Sequence, residues 1–540
     1  MDLINVPNLP IQLTKQQIHI HLDKCSHYNL KYKASYLKEI LNSLFDKILI
    51  SISPIIDSRF TGKEQTKNIN DQSVNTIIWQ FGHLILFYLN NCIRLLKNAD
   101  LLKENKEIIQ KIIYYLSTDL KKAPHIKYYD YFDSFMTPQT TRMKYIKHLD
   151  IKNLRNAYTL IIQLLNVYLD NDILNNKEEY INSVDGYLIM LGIMHNDMHY
   201  EAMLFTQRYI GYPKPINFNT IYSEKQNNAT NSHIQSKDSI LFINIKGGYF
   251  KQGIDINANR NTNHNSILNN NKDLKSQFSF DNERPAFDVN LDDFIVSKYP
   301  ITEGQYLEFV NDNGYLNKKF WCQEGWEWIQ THKIEHPIDW VYSEIFDTSN
   351  IDFKDVLVYK KKWYKKWKHG TNVIDEYSKK PMYGMSWYEA KAYCRWANVR
   401  LLTESEWEYL ATNGGTTLYP WGKEKPTNEF CNINYTNGAV VNVDYFNETE
   451  TSQLCKGDNK DGVSQLIGNV WEWCDDVIYP YDGFKIDIVY REMTYPFMGR
   501  KRICRGGCWA TSDYLITSTY RNAQDPKCCI QWIGFRVCQL

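Results

Sequence analysis

The sequence predicts a multidomain protein of class α plus α+β. An N-terminal four-helix bundle is followed by a larger domain with little regular secondary structure. Three observations carry this. Apolar residues recur at helical spacing from about residue 30 to 212. That pattern stops at GYPKP, which begins at Gly211, and a polar stretch low in aromatics follows from Ile221 to Ser239. Beyond Ile240 the apolar runs are short and split by Gly, Asn, Asp and Pro, and all but one of the 15 tryptophans lie in that half.

The expected division is an extension over 1–29, a helical bundle over 30–215, a linker over 216–239 and a second domain over 240–540. Asn257 to Ser276 is Asn-rich and reads as a surface loop without a chemical role. A length of 540 residues suits more than one domain, and 43% hydrophobic residues suffice for real cores. Lys+Arg and Asp+Glu balance at 62 each, which leaves no basic footprint for nucleic acid. No apolar run approaches the roughly 20 residues of a membrane span. MDLINVPNLPIQLTKQQ is neither a signal nor a transit peptide, so the expected location is the cytoplasm. The 12 cysteines form neither a disulfide framework nor a Cys-x-x-Cys pair and read as mostly reduced thiols.

In the bundle, SYLKEILNSLFDKILISI, VNTIIWQFGHLILFYLNNCIRLL and NLRNAYTLIIQLLNVYLD each read as a helix. The fourth is YLIMLGIMHNDMHYEAMLFTQRYI. Its HNDMHYE segment sets His195 and His199 four apart, one turn above the other on one face. Such a pair reads either as half-buried histidines or as two ligands converging on a metal. With Glu201 two residues on, on the order of 0.01 chance matches are expected in the chain. His83, the only polar side chain in a run of Phe, Gly, Leu and Ile, is the candidate third ligand; its other reading is a satisfied core histidine. Three imidazoles on one side of an ion leave positions open, which suits non-haem Fe(II) binding O2 and substrate together. A closed structural zinc site takes four ligands. In the second half only WYEAKAYCRWAN and ESEWEYLAT read clearly as helix.

WQFGHL followed by HNDMHYE resembles the DinB-like four-helix domain of the ergothioneine and ovothiol sulfoxide synthases. The second half is similar to the C-type-lectin-like fold of formylglycine-generating enzymes, the sulfatase-modifying factors. The signs are GGYF, FDNERPAF, KYPITEGQYLEFV, MSWYEAKAYCRWANVRLLTESEWEYLA, YPWG, LIGNVWEW, RICRGGCWAT, YRN and GFRVC in that order. FWCQEGWEW, from Phe320 to Trp328, also fits that family. The resemblance implies an iron enzyme that couples a cysteine-type thiol to the imidazole of a histidine derivative. It oxidises the sulfur to a sulfoxide with O2. It implies His83, His195 and His199 as ligands of Fe(II) and O2 as co-substrate. Glu201, facing away at i+2, would support the site or the helix.

The same resemblance puts Tyr490 in the place of the catalytic acid; otherwise it is a packed aromatic. Met493 stands where one branch has a second tyrosine, with Tyr495 near. Met198 replaces a glutamine that touches the substrate in ergothioneine-type enzymes; the ovothiol type is apolar there. Asn522 and Gln524, in the run after YRN, and Arg142 complete the expected substrate contacts. Arg142 is either a carboxylate receiver or a surface charge. Phe135 and Met136 occupy positions that carry adjacent tyrosines in one branch.

The two cysteines of formylglycine-generating enzymes are replaced by Thr511 and Ile516, and Cys504 and Cys508 do not match them, which argues against that oxidase activity. Asn469 and Glu472 read as a structural turn rather than a calcium site. The chain ends at GFRVCQL without a methyltransferase domain, which leans to the ergothioneine type, whereas Met198 leans to the ovothiol type. A non-catalytic binding module for a thiol or amino acid, and a zinc-dependent thiol transferase, are the competing readings. The expected partners are small-molecule thiol and histidine-derived substrates, not nucleic acid or membrane.

Overall fold

The computed structural model describes residues 32–56, 75–96, 104–118, 127–134, 137, 142, 149–175, 180–181, 183–210, 240–255, 278–346, 359–365, 373–446 and 455–540. The expected extension, linker and Asn-rich loop lie outside these. Among the described residues no helix is long and apolar enough to cross a membrane.

The first half is built from α1 (Ala34–Ile56), α2 (Ile77–Phe87), α3 (Lys106–Thr118), α4 (Ile151–Asn175) and α5 (Ser183–Ile210). Helix α1 packs on α4 and α5, and α2 packs on α5. Helix α2 starts where the Thr76 side chain accepts the Trp79 amide at 3.3 Å, an N-cap that satisfies an otherwise unpaired donor. It is apolar on every side, and every residue in it is buried. It continues as a π-helical turn over Tyr88–Cys92 and a short 3₁₀ turn over Ile93–Leu95. Gly192 of α5 lies against Tyr88 and Cys92 of that turn, and a methyl group there would collide with the tyrosine ring. Helix α3 is a fifth helix that the sequence reading did not single out. Its short apolar stripe, Ile108, Ile109, Ile112 and Leu116, is covered by α4.

The second half contains α6 (Glu303–Asn311), α7 (Gln323–His332), α8 (Trp387–Ala397) and α9 (Glu404–Ala411). The last two match WYEAKAYCRWAN and ESEWEYLAT; the first two correct the expectation of little further helix. Their signal was local. Thr302 and Gln305 form a reciprocal capping box that starts α6, and Cys322 caps α7, which occupies most of FWCQEGWEW. The same box recurs at Ser386/Glu389 and Thr403/Glu406.

Two four-stranded sheets organise this half. The first runs β1 (Phe242–Ile245), β4 (Phe294–Ser297), β13 (Val537–Gln539), β8 (Val399–Leu401). The second runs β11 (Asn522–Gln524), β10 (Arg502–Arg505), β9 (Trp471–Val477), β12 (Ile533–Phe535). Strands β2 (Gly248–Gln252) and β3 (Phe287–Leu291) form a separate antiparallel pair. Strands β5 (Trp340–Phe346), β6 (Tyr359–Lys365) and β7 (Val373–Ile374) form another sheet.

The two larger sheets are joined through one ion pair. Arg536, between β12 and β13, donates to both Glu472 oxygens of β9 at 2.9 and 3.2 Å and to the carbonyls of Ser297, Lys298 and Ser464. Both side chains are almost fully buried. Glu472 also accepts from Trp407, so both of its carboxylate oxygens are engaged within the fold. Asn469 exchanges hydrogen bonds with Asn432, Val441 and Gln465. Asn469 therefore serves the turn, and Glu472 the ion pair with Arg536. The described cysteines are free thiols.

Arg536→Met strands the buried Glu472 carboxylate and should lower the unfolding free energy by about 3–5 kcal/mol. Urea denaturation followed by tryptophan fluorescence checks this. Adding Glu472→Leu should recover part of the loss, since a buried pair replaced by apolar groups is often neutral.

Candidate metal centre

His83 comes from α2, and His195 and His199 come from α5, on the face that α5 turns to α2. One ligand atom from each lies within 4.8 Å of the others. His83 Nε2 and His195 Nε2 are 3.2 Å apart. The ring centroids stand 5.0, 5.0 and 4.7 Å from one another. Two nitrogens each about 2.1 Å from one ion at right angles would be about 3.0 Å apart, so this spacing fits a single cation. Among the described residues no other group of three or more His, Cys, Asp or Glu has this property.

Each ring is held from behind. His83 Nδ1 donates to the Phe132 carbonyl at 2.7 Å, which sets its tautomer and leaves the Nε2 lone pair facing inward. His199 Nδ1 faces Gln80 Oε1 at 3.4 Å. The amide of Gln80 is oriented by its donation to the Asn75 carbonyl. His195 stacks on Phe87 at 3.7 Å and 8°, and His83 on Trp79 at 5.1 Å and 11°. Burial, then the neighbouring histidines, push the pKa of His195 well below its ordinary value; burial and then His83 do the same for His199. Neutral imidazoles are metal ligands, and lone pairs facing each other at this range favour a cation between them.

The glycine of WQFGHL now has a reason. A side chain at Gly82 would overlap the Phe132 ring, and Phe132 carries the carbonyl that orients His83. That glycine and Gln80, three residues before His83, were the available signals of a supporting layer.

The histidines open onto a cavity of about 620 Å³ between the two halves, and all the residues expected at the site line it. Tyr490 is buried, with its ring edge-on to His195 at 5.4 Å and to Phe87 at 5.1 Å. Its segment is tied to the bundle. The Asn91 side chain donates to the Val489 carbonyl at 2.7 Å, and the Tyr187 hydroxyl donates to Asp487. The Asp487 carboxylate in turn accepts the Val489 and Tyr490 amides. Met198 and Met493 line the wall near these groups, while Asn522 and Gln524 reach it from β11. Tyr495 is 41% exposed and is not part of the lining. Phe135 and Met136 lie outside the described residues.

Two residues differ from their sequence readings. Arg142 lines the cavity but is neither a surface charge nor an uncommitted fork. It stacks 4.0 Å over Trp79 and donates to the Thr137 and Ser134 carbonyls and to Asn75. Glu201 does more than stabilise its helix. Its carboxylate accepts from Trp471 Nε1 and Thr511 Oγ1, each at 2.8 Å, across the boundary between the halves. Thr511 and Ile516, standing where formylglycine-generating enzymes have cysteines, are both buried, and Thr511 is thus a partner of the bundle.

Gly82→Ala should weaken metal binding by about tenfold or more, because a shifted outer partner typically costs 10–100-fold in metal affinity. Anaerobic Fe(II) titration checks it. His83→Gln should abolish Fe(II) binding while the circular dichroism spectrum stays that of the parent.

Comparison with known proteins yields a family match in the second half of the chain. The family model of the sulfatase-modifying factor enzyme 1-like domain matches residues 227–539. Hercynine oxygenase of Mycobacterium tuberculosis is 30% identical over 253 residues, 46% of this chain and 53% of that protein. Hercynine oxygenase of Mycolicibacterium smegmatis is 28% identical over 47% of this chain and 54% of its own length. The formylglycine-generating enzyme of Mus musculus is 28% identical over 48% of this chain and 69% of its own length. The aligned stretch spans about half the length of the hercynine oxygenases it matches. Matched by that model over more than half its residues, the chain belongs to the sulfatase-modifying factor enzyme 1-like family and is similar to hercynine oxygenases.

Proposed function

We propose that the chain is a non-haem Fe(II)- and O2-dependent sulfoxide synthase. It joins a cysteine-type thiol, cysteine or γ-glutamylcysteine, to the imidazole of a histidine derivative. In this reading residues 30–215 are a DinB-like iron-binding unit and 240–540 the formylglycine-generating-enzyme-like unit that closes the site. The observation that carries it is the trio of imidazoles, two of them buried, converging on one 620 Å³ cavity at the junction of the halves. Similarity to hercynine oxygenases supports the reaction class.

The overall reaction balances as thiol plus imidazole C–H plus O2 giving the C–S-linked sulfoxide and water. Coupling removes two electrons, sulfur oxidation two more, and O2 takes up all four. Ferrous iron held by His83, His195 and His199 would lower the thiol pKa by coordination and supply electrons to O2. The chain's own residues do the rest. Gln80 and the Phe132 carbonyl keep the imidazoles oriented. Phe87 and Trp79 cover two of the rings, which limits water around them. Tyr490, lining the cavity with its ring edge-on to His195, would supply its hydroxyl proton as charge develops. The free, buried thiols fit a reducing cytoplasm.

A second reading concerns the imidazole substrate. Met198 lines the cavity at the position where the resemblance puts a glutamine contacting trimethylhistidine and where the ovothiol type is apolar, which favours plain histidine as the imidazole substrate.

The test is anaerobic Fe(II) loading followed by O2 uptake, with cysteine or γ-glutamylcysteine paired with histidine or trimethylhistidine, and products read by mass spectrometry. Coupled sulfoxide that is lost in His199→Ala is the expected result. Uptake with thiol alone would mark a thiol oxidase, and neither iron binding nor uptake would leave a binding module. Tyr490→Phe should lower kcat for coupling about 10²-fold or more with Fe(II) affinity unchanged.

A further inference from the structure

Lys501 sits at the turn into β10 and lines the cavity. It is half-buried, and burial pulls its pKa below the ordinary lysine value. No carboxylate comes within ion-pairing distance of its ammonium, and its side chain makes no hydrogen bond among the described residues. Its close neighbour is the face of Phe497, 3.7 Å from the ring centroid, a weaker counter-charge than a carboxylate.

The other charged groups on the wall are already engaged. Arg521 is bound by both oxygens of Glu404 and by the Asn282 carbonyl. Arg142 holds its own loop. Both Glu201 oxygens accept hydrogen bonds, and Asp525 caps the Lys527 amide. Asp525, on the same wall, attracts Lys501 only from beyond ion-pair distance, and a partly desolvated cation without a paired anion is costly to keep unless a ligand brings one. The register Arg502↔Gln524 and Cys504↔Asn522 sets the amides of β11 beside the strand that Lys501 leads into, so uncharged polar groups flank it on the same wall.

We propose that Lys501 receives the carboxylate of the cavity's small-molecule ligand, so that the site selects amino-acid-type substrates by the charge at one end. This rests on the reading of the cavity as the substrate site and adds a specificity residue to it. The role expected of Arg142 passes to a lysine in the other half of the chain.

The test is calorimetric titration of the full Fe(II)-loaded chain without O2. Two probe pairs differ only by a carboxylate: cysteine against cysteamine, and histidine against histamine. The parent should prefer the acid of at least one pair by about tenfold or more, the scale of one ion pair. Lys501→Met should erase that preference and leave the amine's affinity unchanged, while Lys501→Arg should keep it. Circular dichroism guards against misfolding of either variant. A preference that survives in Lys501→Met, or a parent that binds no acid better than its amine, overturns the proposal. Lys501-dependent acid binding without any coupled sulfoxide on turnover would sink the synthase reading and leave the carboxylate seat standing.

Discussion

One helix has to be buried on almost every side. Helix α5, Ser183–Ile210, packs on α1 and α2 of the bundle, and the C-terminal half covers the rest of it. A helix with no solvent face must find a partner for each polar side chain it carries, because an unpaired buried group costs a few kcal/mol. Asp185 accepts the Tyr168 hydroxyl, Asp197 accepts from Ser512, Glu201 accepts from Trp471 and Thr511, and Arg208 pairs with Asp339. Three of these four partnerships cross into the second half. His195 and His199 lie on the remaining stretch, facing α2. Their neutrality follows from the same burial.

The junction is therefore more than a surface of contact. The apolar core is continuous across it, with Phe205 against Trp532 and Tyr200 against Tyr435. Polar ties aim the loop that carries Tyr490. Tyr187 and Asn91 hold it from the bundle, while Asp281 accepts the Asp487 amide and the Thr494 hydroxyl from the other side. Asn91 lies in the π-helical turn of α2, two turns beyond His83, so a local irregularity of that helix serves the distant loop. The cavity is what remains where the two halves fail to meet, and polar side chains line it both beside the histidines, at Gln80 and Arg142, and at β11.

Much of this was legible in the sequence. The i, i+4 histidines and the lone histidine in an apolar run needed only helical periodicity to be set on facing surfaces. Capping signals marked α6 and α8, although α6 was passed over because its apolar residues are few. Helix α3 was missed for a related reason: its stripe is short and its other face is Lys, Glu and Gln. Glu201 was expected to face away from the metal and support the site, yet nothing local to HNDMHYE says that its partners are Trp471 and Thr511.

What the sequence by itself determined was the class of each half, the ligand-type residues and their spacing, since these depend on contacts three or four residues apart. Tertiary structure alone decided that Arg142 is engaged by its own loop, that Glu201 joins the halves, and that Lys501 stands half-buried without an ion-pair partner. Those facts depend on which groups compete for the same partner across hundreds of residues. Charge compensation in a buried interface is a sum over all neighbours, and no short window of sequence contains it.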